Sequence, residues 1–91
     1  MNAGFKICDN KGFWITFENG WTVSVQFGRW NYCAGREKSY EEIKEDGAES
    51  PDCEIAAWDM NNEWYDFGDD KVKGHVTPKE VLAFLNEIAA R

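Results

Sequence analysis

No stretch of this sequence stays apolar for anything near the roughly 20 residues that cross a bilayer as a helix, so a helical membrane span is excluded. Basic residues are scarce: ten Lys and Arg face seventeen Asp and Glu, for a formal charge of −7. Proteins that grip a phosphate backbone do so by neutralising it with Lys and Arg, so direct nucleic-acid binding is disfavoured, and docking on an anionic membrane surface with it. Cysteines number three, an odd count without a C-x-x-C pair. The N-terminal MNAGFKICDN is too polar, and its apolar run too short, for a secretory signal. The expectation is a cytosolic protein with reduced thiols. A phosphate loop is also missing, because GRWNYCAG lacks both the spacing and the lysine.

Aromatic surface is what abounds: five Trp, six Phe and three Tyr in 91 residues. Each buries about 150–250 Å², more than the core of one small domain requires, which leaves some for a partner. The acidic balance suits a partner with a basic surface, and solubility alone is the plainer explanation. The length makes a single domain, residues 1–91, that buries only about 60–65% of the surface of its unfolded chain.

Gly4 to Cys8 reads as a short strand with Phe5 and Ile7 on one face. DNKG (Asp9–Gly12) is turn chemistry. Phe13, Ile15 and Phe17 then alternate with Trp14, Thr16 and Glu18, the period of a half-buried strand. Asn19-Gly20 is a strong hairpin signal, and Trp21, Val23, Val25 and Phe27 follow, alternating with Thr22, Ser24 and Gln26. These segments form an antiparallel meander. Residues 37–52, EKSYEEIKEDGAESPD, change in composition; they read as a long acidic insertion loop, with Ser39 and Glu42 spaced to cap one helical turn. CEIAAW (Cys53–Trp58) and EWYDF (Glu63–Phe67) read as a hairpin about the turn DMNN, and GDDKVKGH (Gly68–His75) as a connection.

The C-terminal segment predicts a helix. Thr77 is its N-cap, Pro78 sits at N1, and Glu80 at N3 completes a capping box. Val81, Phe84, Leu85 and Ile88 make one apolar stripe, which Leu82 and Ala89 widen. That stripe needs the sheet face of Phe13, Ile15, Phe17, Trp21, Val23, Val25 and Ile55. The fold class is therefore α+β: an antiparallel sheet of four to five strands, a meander plus a hairpin, with one helix on one face. The reverse face carries Trp14, Thr16, Thr22, Ser24 and Gln26, with Trp58 and one of Trp64 or Tyr65 as candidates to join it.

Chemistry has few places to sit. Cys8, Cys33, Cys53 and His75 match no zinc spacing. Cys33 with His75 as base would make a thiol enzyme, but no signature surrounds either residue. Adjacent carboxylates such as Asp69 and Asp70 diverge and read as solvated charge. The expectation is a protein without catalysis, metal or cofactor. Just past the third strand, Gly28 permits a bend, and Arg29, Trp30, Tyr32 and Arg36 follow together. Arginine over an aromatic face gains a cation–π contact, and the same set suits a base and its phosphate. The competing reading folds Trp30 back as a lid on the sheet.

The strings GFWITFENGWTVSVQFGRWNYC, EIAAWDMNNEWYDFG and VKGHVTPKEVLAFLNEI, well over half the chain, resemble a group of small acidic proteins encoded by phages and prophages. Several such proteins inhibit host defence systems, including CRISPR effectors and cyclic-nucleotide signalling. The resemblance implies a host-interaction role and carries over no site residue. The leading expectation is a non-catalytic binding protein that inhibits or modulates a host protein through Trp14, Gln26, Arg29, Trp30, Tyr32 and Arg36, with the acidic loop steering association. The alternative is a small-molecule or nucleotide-binding, sponge-like protein whose site lies at a homodimer seam.

Overall fold

The computed structural model describes residues 2–8, 11–28, 31–37, 47 and 49–91, with residues 36 and 37 described by their backbone alone. The architecture is α+β. Among the described residues five antiparallel strands lie in chain order, β1 (Gly4–Ile7), β2 (Gly12–Thr16), β3 (Thr22–Gln26), β4 (Cys53–Trp58) and β5 (Lys73–Val76), and a C-terminal helix follows, α1 (Pro78–Ala89). A short 3₁₀ turn occupies Ala34–Glu37.

The period-two pattern sets which residues meet. Phe13 pairs with Val25 and Ile15 with Val23 across β2 and β3, and Val23 and Val25 face Ala57 and Ile55 of β4. These residues share the face that α1 covers. Phe84 and Ile88 of the helix join Val23, Val25, Cys53, Ile55, Ala57 and Val76 in one buried cluster. Val81 and Leu85 pack against it, completing the stripe expected from spacings of three and four. Leu82 and Ala89 do not widen it: Leu82 is 60% exposed, and Ala89 is exposed too. They sit beyond the arc that a flat sheet can touch.

Both ends of the helix are tied by side chains. Thr77 accepts the Glu80 N–H, and Glu80 Oε1 accepts the Thr77 N–H at 3.0 Å, the reciprocal box its sequence promised. At the other end, Asn19 in the β2–β3 turn donates to the carbonyls of Ile88 at 2.9 Å and Arg91 at 3.1 Å. The Oδ1 of the same Asn19 side chain accepts the Trp21 N–H at 3.0 Å. Helices leave their last carbonyls without intrahelical donors; here a residue about 70 positions upstream satisfies them. Gly20 next to it holds φ at 90°, a backbone conformation that disfavours other residues.

Two segments differ from the sequence expectation. Glu63–Phe67 is not a strand: past the Asp59–Glu63 turn it makes a single bridge, Trp64 to Trp58, and the Tyr65 N–H donates to the Ala57 carbonyl at 2.8 Å. Its alternation still sorts side chains. Tyr65 and Phe67 turn toward the helix, with centroids 5.1 and 5.4 Å from that of Phe84, while Trp64 goes to the reverse face. The fifth strand comes instead from the segment read as a connection. Gly74 and His75 form a bulge within it, His75 at φ 53°, where Cys53 pairs with Val76 and Ile55 with Lys73. A four-residue strand with a bulge carries too little periodicity to be seen in sequence. The Ser39–Glu42 helical turn and most of the acidic loop lie outside the described residues.

Truncating Phe84 to Ala is expected to cost about 3–5 kcal/mol. Asn19→Ala should cost about 1–2 kcal/mol through the lost carbonyl bonds. Both are read as lowered urea midpoints at constant slope.

Candidate functional site

The reverse face owes its form to cross-strand spacing. Trp14 on β2 stands opposite Ser24, which stands opposite Ala56; one pair along, Thr16 stands opposite Thr22, which stands opposite Trp58. Strands β2 and β4 are separated by about 10 Å, twice the interstrand spacing. Only small residues fill the middle strand, so the two indoles lean over it and meet edge to face with centroids 4.9 Å apart. Trp64 then stacks on Trp58, also at 4.9 Å, inclined by 30°. Beneath the rings Thr16, Thr22, Ser24 and Ala56 are buried, and the two threonine hydroxyls bond each other at 2.8 Å. The Lys6 ammonium lies 4.5 Å from the Trp14 ring, a cation–π contact.

Beside this tryptophan row lies an open hollow of about 380 Å³, lined by Ser24, Gln26, Glu54 and Ala56 at its base and by Asn31, Trp14, Trp58 and Trp64 at its sides. Trp14 and Trp58 are half-buried, and Trp64 is 45% exposed. The acids Asp59, Glu63 and Asp66 cluster next to Trp64 and Trp21 in an adjoining groove. Arg91 lines the same groove and Lys71 pairs with Asp66 at 3.5 Å, so this border is mixed, with three acids set against two bases.

Two carboxylates, one buried and one half-buried, pin the loop that ends the face. Glu54, 8% exposed, accepts the Asn31 side-chain amide at 2.8 Å and the Tyr32 N–H at 2.9 Å. The Asn31 side-chain oxygen reaches back to accept the Gly28 N–H at 2.8 Å, and the Asn31 N–H donates to the Gly28 carbonyl at 2.9 Å, closing the turn that redirects the chain after β3. Asp52 accepts the Ala34 N–H at 2.7 Å and faces the His75 ring at 3.3 Å. The Tyr32 carbonyl takes the bulge N–H of His75 at 2.8 Å. A Cβ on Gly74 would stand 2.4 Å from that of Tyr32, so the crossing requires glycine.

The structure brings together two of the six residues expected at the site, Trp14 and Gln26, which share the hollow. Tyr32 is 56% exposed but is not part of its lining. The backbone of Arg36 lies in the 3₁₀ turn, and its side chain, like Arg29 and Trp30, falls outside the described residues. Trp58, Trp64, Asn31 and Glu54 complete the arrangement. Trp58 was legible from the alternation, and the choice between Trp64 and Tyr65 is settled by the bridge to β4. Nothing local marks Glu54, whose partners lie 22 and 23 positions away.

Cys33 and His75 are brought near each other through the Tyr32–His75 backbone bond. Cys33 is 2% exposed, whereas the imidazole is two-thirds exposed and faces Asp52. Among the described residues no three His, Cys, Asp or Glu side chains gather as a metal site. Burial, and next the neighbouring Cys33, push the Cys53 thiol up to about 11.

At neutral pH a thiol reagent is therefore expected to modify Cys8 first, with Cys33 and Cys53 labelled only on unfolding. The Ala34 N–H, and more weakly His75, hold the Asp52 carboxyl below its ordinary value of 3.8. The Gly68 N–H does the same for Asp66, and the Thr77 N–H for Glu80. A lowered folded pKa stabilises the protein above the unfolded value, and that contribution is lost as pH falls through the folded one. Urea midpoints should stay level from about pH 7 to 5 and fall below about 4, and Asp52→Asn should flatten that fall. No protein-family model, curated protein or solved structure matches this chain, so the chemistry of the site is read from its own residues.

Proposed function

We propose that this chain is a non-catalytic binding protein that grips a partner protein through the Trp14–Trp58–Trp64 row. One observation carries the reading: three indoles in edge and stacked contact lie on the sheet face that the helix does not cover, and Trp64 at the end of the row is nearly half exposed. Aromatic side chains held rigid and partly wet dominate binding energy at protein interfaces, because they desolvate a large area at little entropic cost. The acids beside Trp64 set the chemistry of the partner. An Arg or Lys laid on the indole would find Asp59 and Glu63 within the same groove, and the net charge of −7 would speed encounter with a basic surface. The resemblance to phage-encoded proteins makes a host protein the target in this proposal and inhibition or modulation the outcome, with the acidic residues after position 37 adding to the steering.

A second reading rests on the hollow itself. Its volume of about 380 Å³ falls in the range of small-ligand sites, roughly 300–1,000 Å³, and an indole wall suits a base. Glu54 in its lining opposes a phosphate, so the protein–protein reading is preferred.

The test uses immobilised protein challenged with bacterial lysate. Wild type should retain a discrete basic protein, and Trp14→Ala/Trp64→Ala should weaken that complex at least 30-fold, about 1 kcal/mol or more at each of the two residues, with unchanged circular dichroism. Equal retention by both proteins overturns the proposal. A rise in melting temperature with a nucleotide, abolished by the same substitutions, would favour the small-molecule reading instead.

A further inference from the structure

The two edges of the sheet are built differently. At the β5 edge, Lys73 and the Gly74–His75 bulge break the run of pairing groups, two of the devices that keep edge strands from associating. The β1 edge has no bulge in its pairing with β2, no proline, and a single charge, Lys6. Its backbone orientation follows from the hairpin. The Cys8 N–H donates to the Gly12 carbonyl at 3.0 Å, so Gly4, Lys6 and Cys8 turn their polar groups toward β2, and Phe5 and Ile7 turn theirs outward. The side chains of the same two residues are 70% and 78% exposed, on the side of the sheet that carries the helix but beyond its reach.

We propose that this edge pairs with a second copy of the chain, β1 against β1 antiparallel, giving one ten-stranded sheet. The register is dictated by which groups face outward. With Phe5 opposite the partner's Ile7, and Ile7 opposite the partner's Phe5, every outward N–H and carbonyl of these residues is satisfied. The four apolar side chains then fall on one face beside Phe13, whose ring already lies 6.2 Å from that of Phe5. This pairing is self-complementary, as a two-fold axis requires. Charge permits it: residues 1–17 hold Lys6 and Lys11 against Asp9 alone, so the acids that give the chain its −7 lie elsewhere in the sequence. Lys6 meets the partner's Lys6 on the reverse face, a like-charge pair that limits affinity. The side chains contribute on the order of 600 Å² across the seam, within the small class below about 1,200 Å². The dimer is therefore reversible and populated at tens of micromolar and above. Both tryptophan faces end on the same side of the joined sheet and stay open.

Sedimentation velocity in reducing buffer, from about 5 to 500 μM, tests this. The mass should rise from 10.5 kDa toward twice that value, and the Phe5 and Ile7 amides should exchange more slowly at the high concentration. Ile7→Pro removes an outward N–H and Ile7→Lys adds charge; each should raise Kd at least tenfold at unchanged circular dichroism, while Lys6→Thr should lower it about threefold. Trp64→Ala should leave Kd unchanged, which separates this seam from the surface assigned to partner binding. A monomer at all concentrations overturns the proposal, as does a dimer broken by Trp64→Ala or untouched by both Ile7 variants.

Discussion

Among the described residues one helix of twelve residues packs on a sheet of five strands, and it can reach only part of one side. A helix is about 10 Å across with its side chains, the width of two or three strands. Its buried residues Phe84 and Ile88 accordingly cluster with the middle strands, where Val23, Ile55 and Ala57 are almost fully dry. What the helix leaves uncovered explains most of the remaining molecule. Tyr65 and Phe67 seal its flank, three tryptophans lie down over the reverse face, and Phe5 and Ile7 stay in water at the margin.

Long-range polar contacts hold these parts in register. Asn19 fastens the β2–β3 turn to the helix C-terminus, and Asp52 and Glu54 fasten the loop after β3 to the start of β4. Each takes backbone groups that a loop cannot satisfy by itself. Glu54 is the sharpest case: a carboxylate at 8% exposure is tolerable because two donors from the same loop meet its two oxygens. The same bonds bring Asn31 to the border of the hollow, so the anchoring of the loop and the shape of the reverse face are one problem.

The reverse face combines rigid aromatic area with a border that holds more acids than bases. Its rings are fixed by one another and by the small residues beneath them. In the binding role proposed above, little freedom would remain to be lost on docking, Asp59 and Glu63 would add selectivity in sign, and the hollow beside the row would receive a partner side chain.

Period-two alternation and end-capping chemistry are local, and they told their story in the sequence: β1 to β4, the helix with its Thr77–Glu80 box, and the division of Trp14 from Phe13 and Ile15 all follow from neighbours a few residues apart. Tertiary structure alone decided the rest. That β5 lies at Lys73–Val76 depends on β4 offering an edge, and that Trp64 rather than Tyr65 joins the aromatic row depends on the bridge to Trp58. Asn19 and Glu54 matter through partners more than twenty residues away, and Leu82 and Ala89 are left wet because a sheet touches a narrower arc of a helix than its apolar stripe suggests. Local spacing governs which way a side chain points from its own backbone; only the assembled chain governs what it meets there.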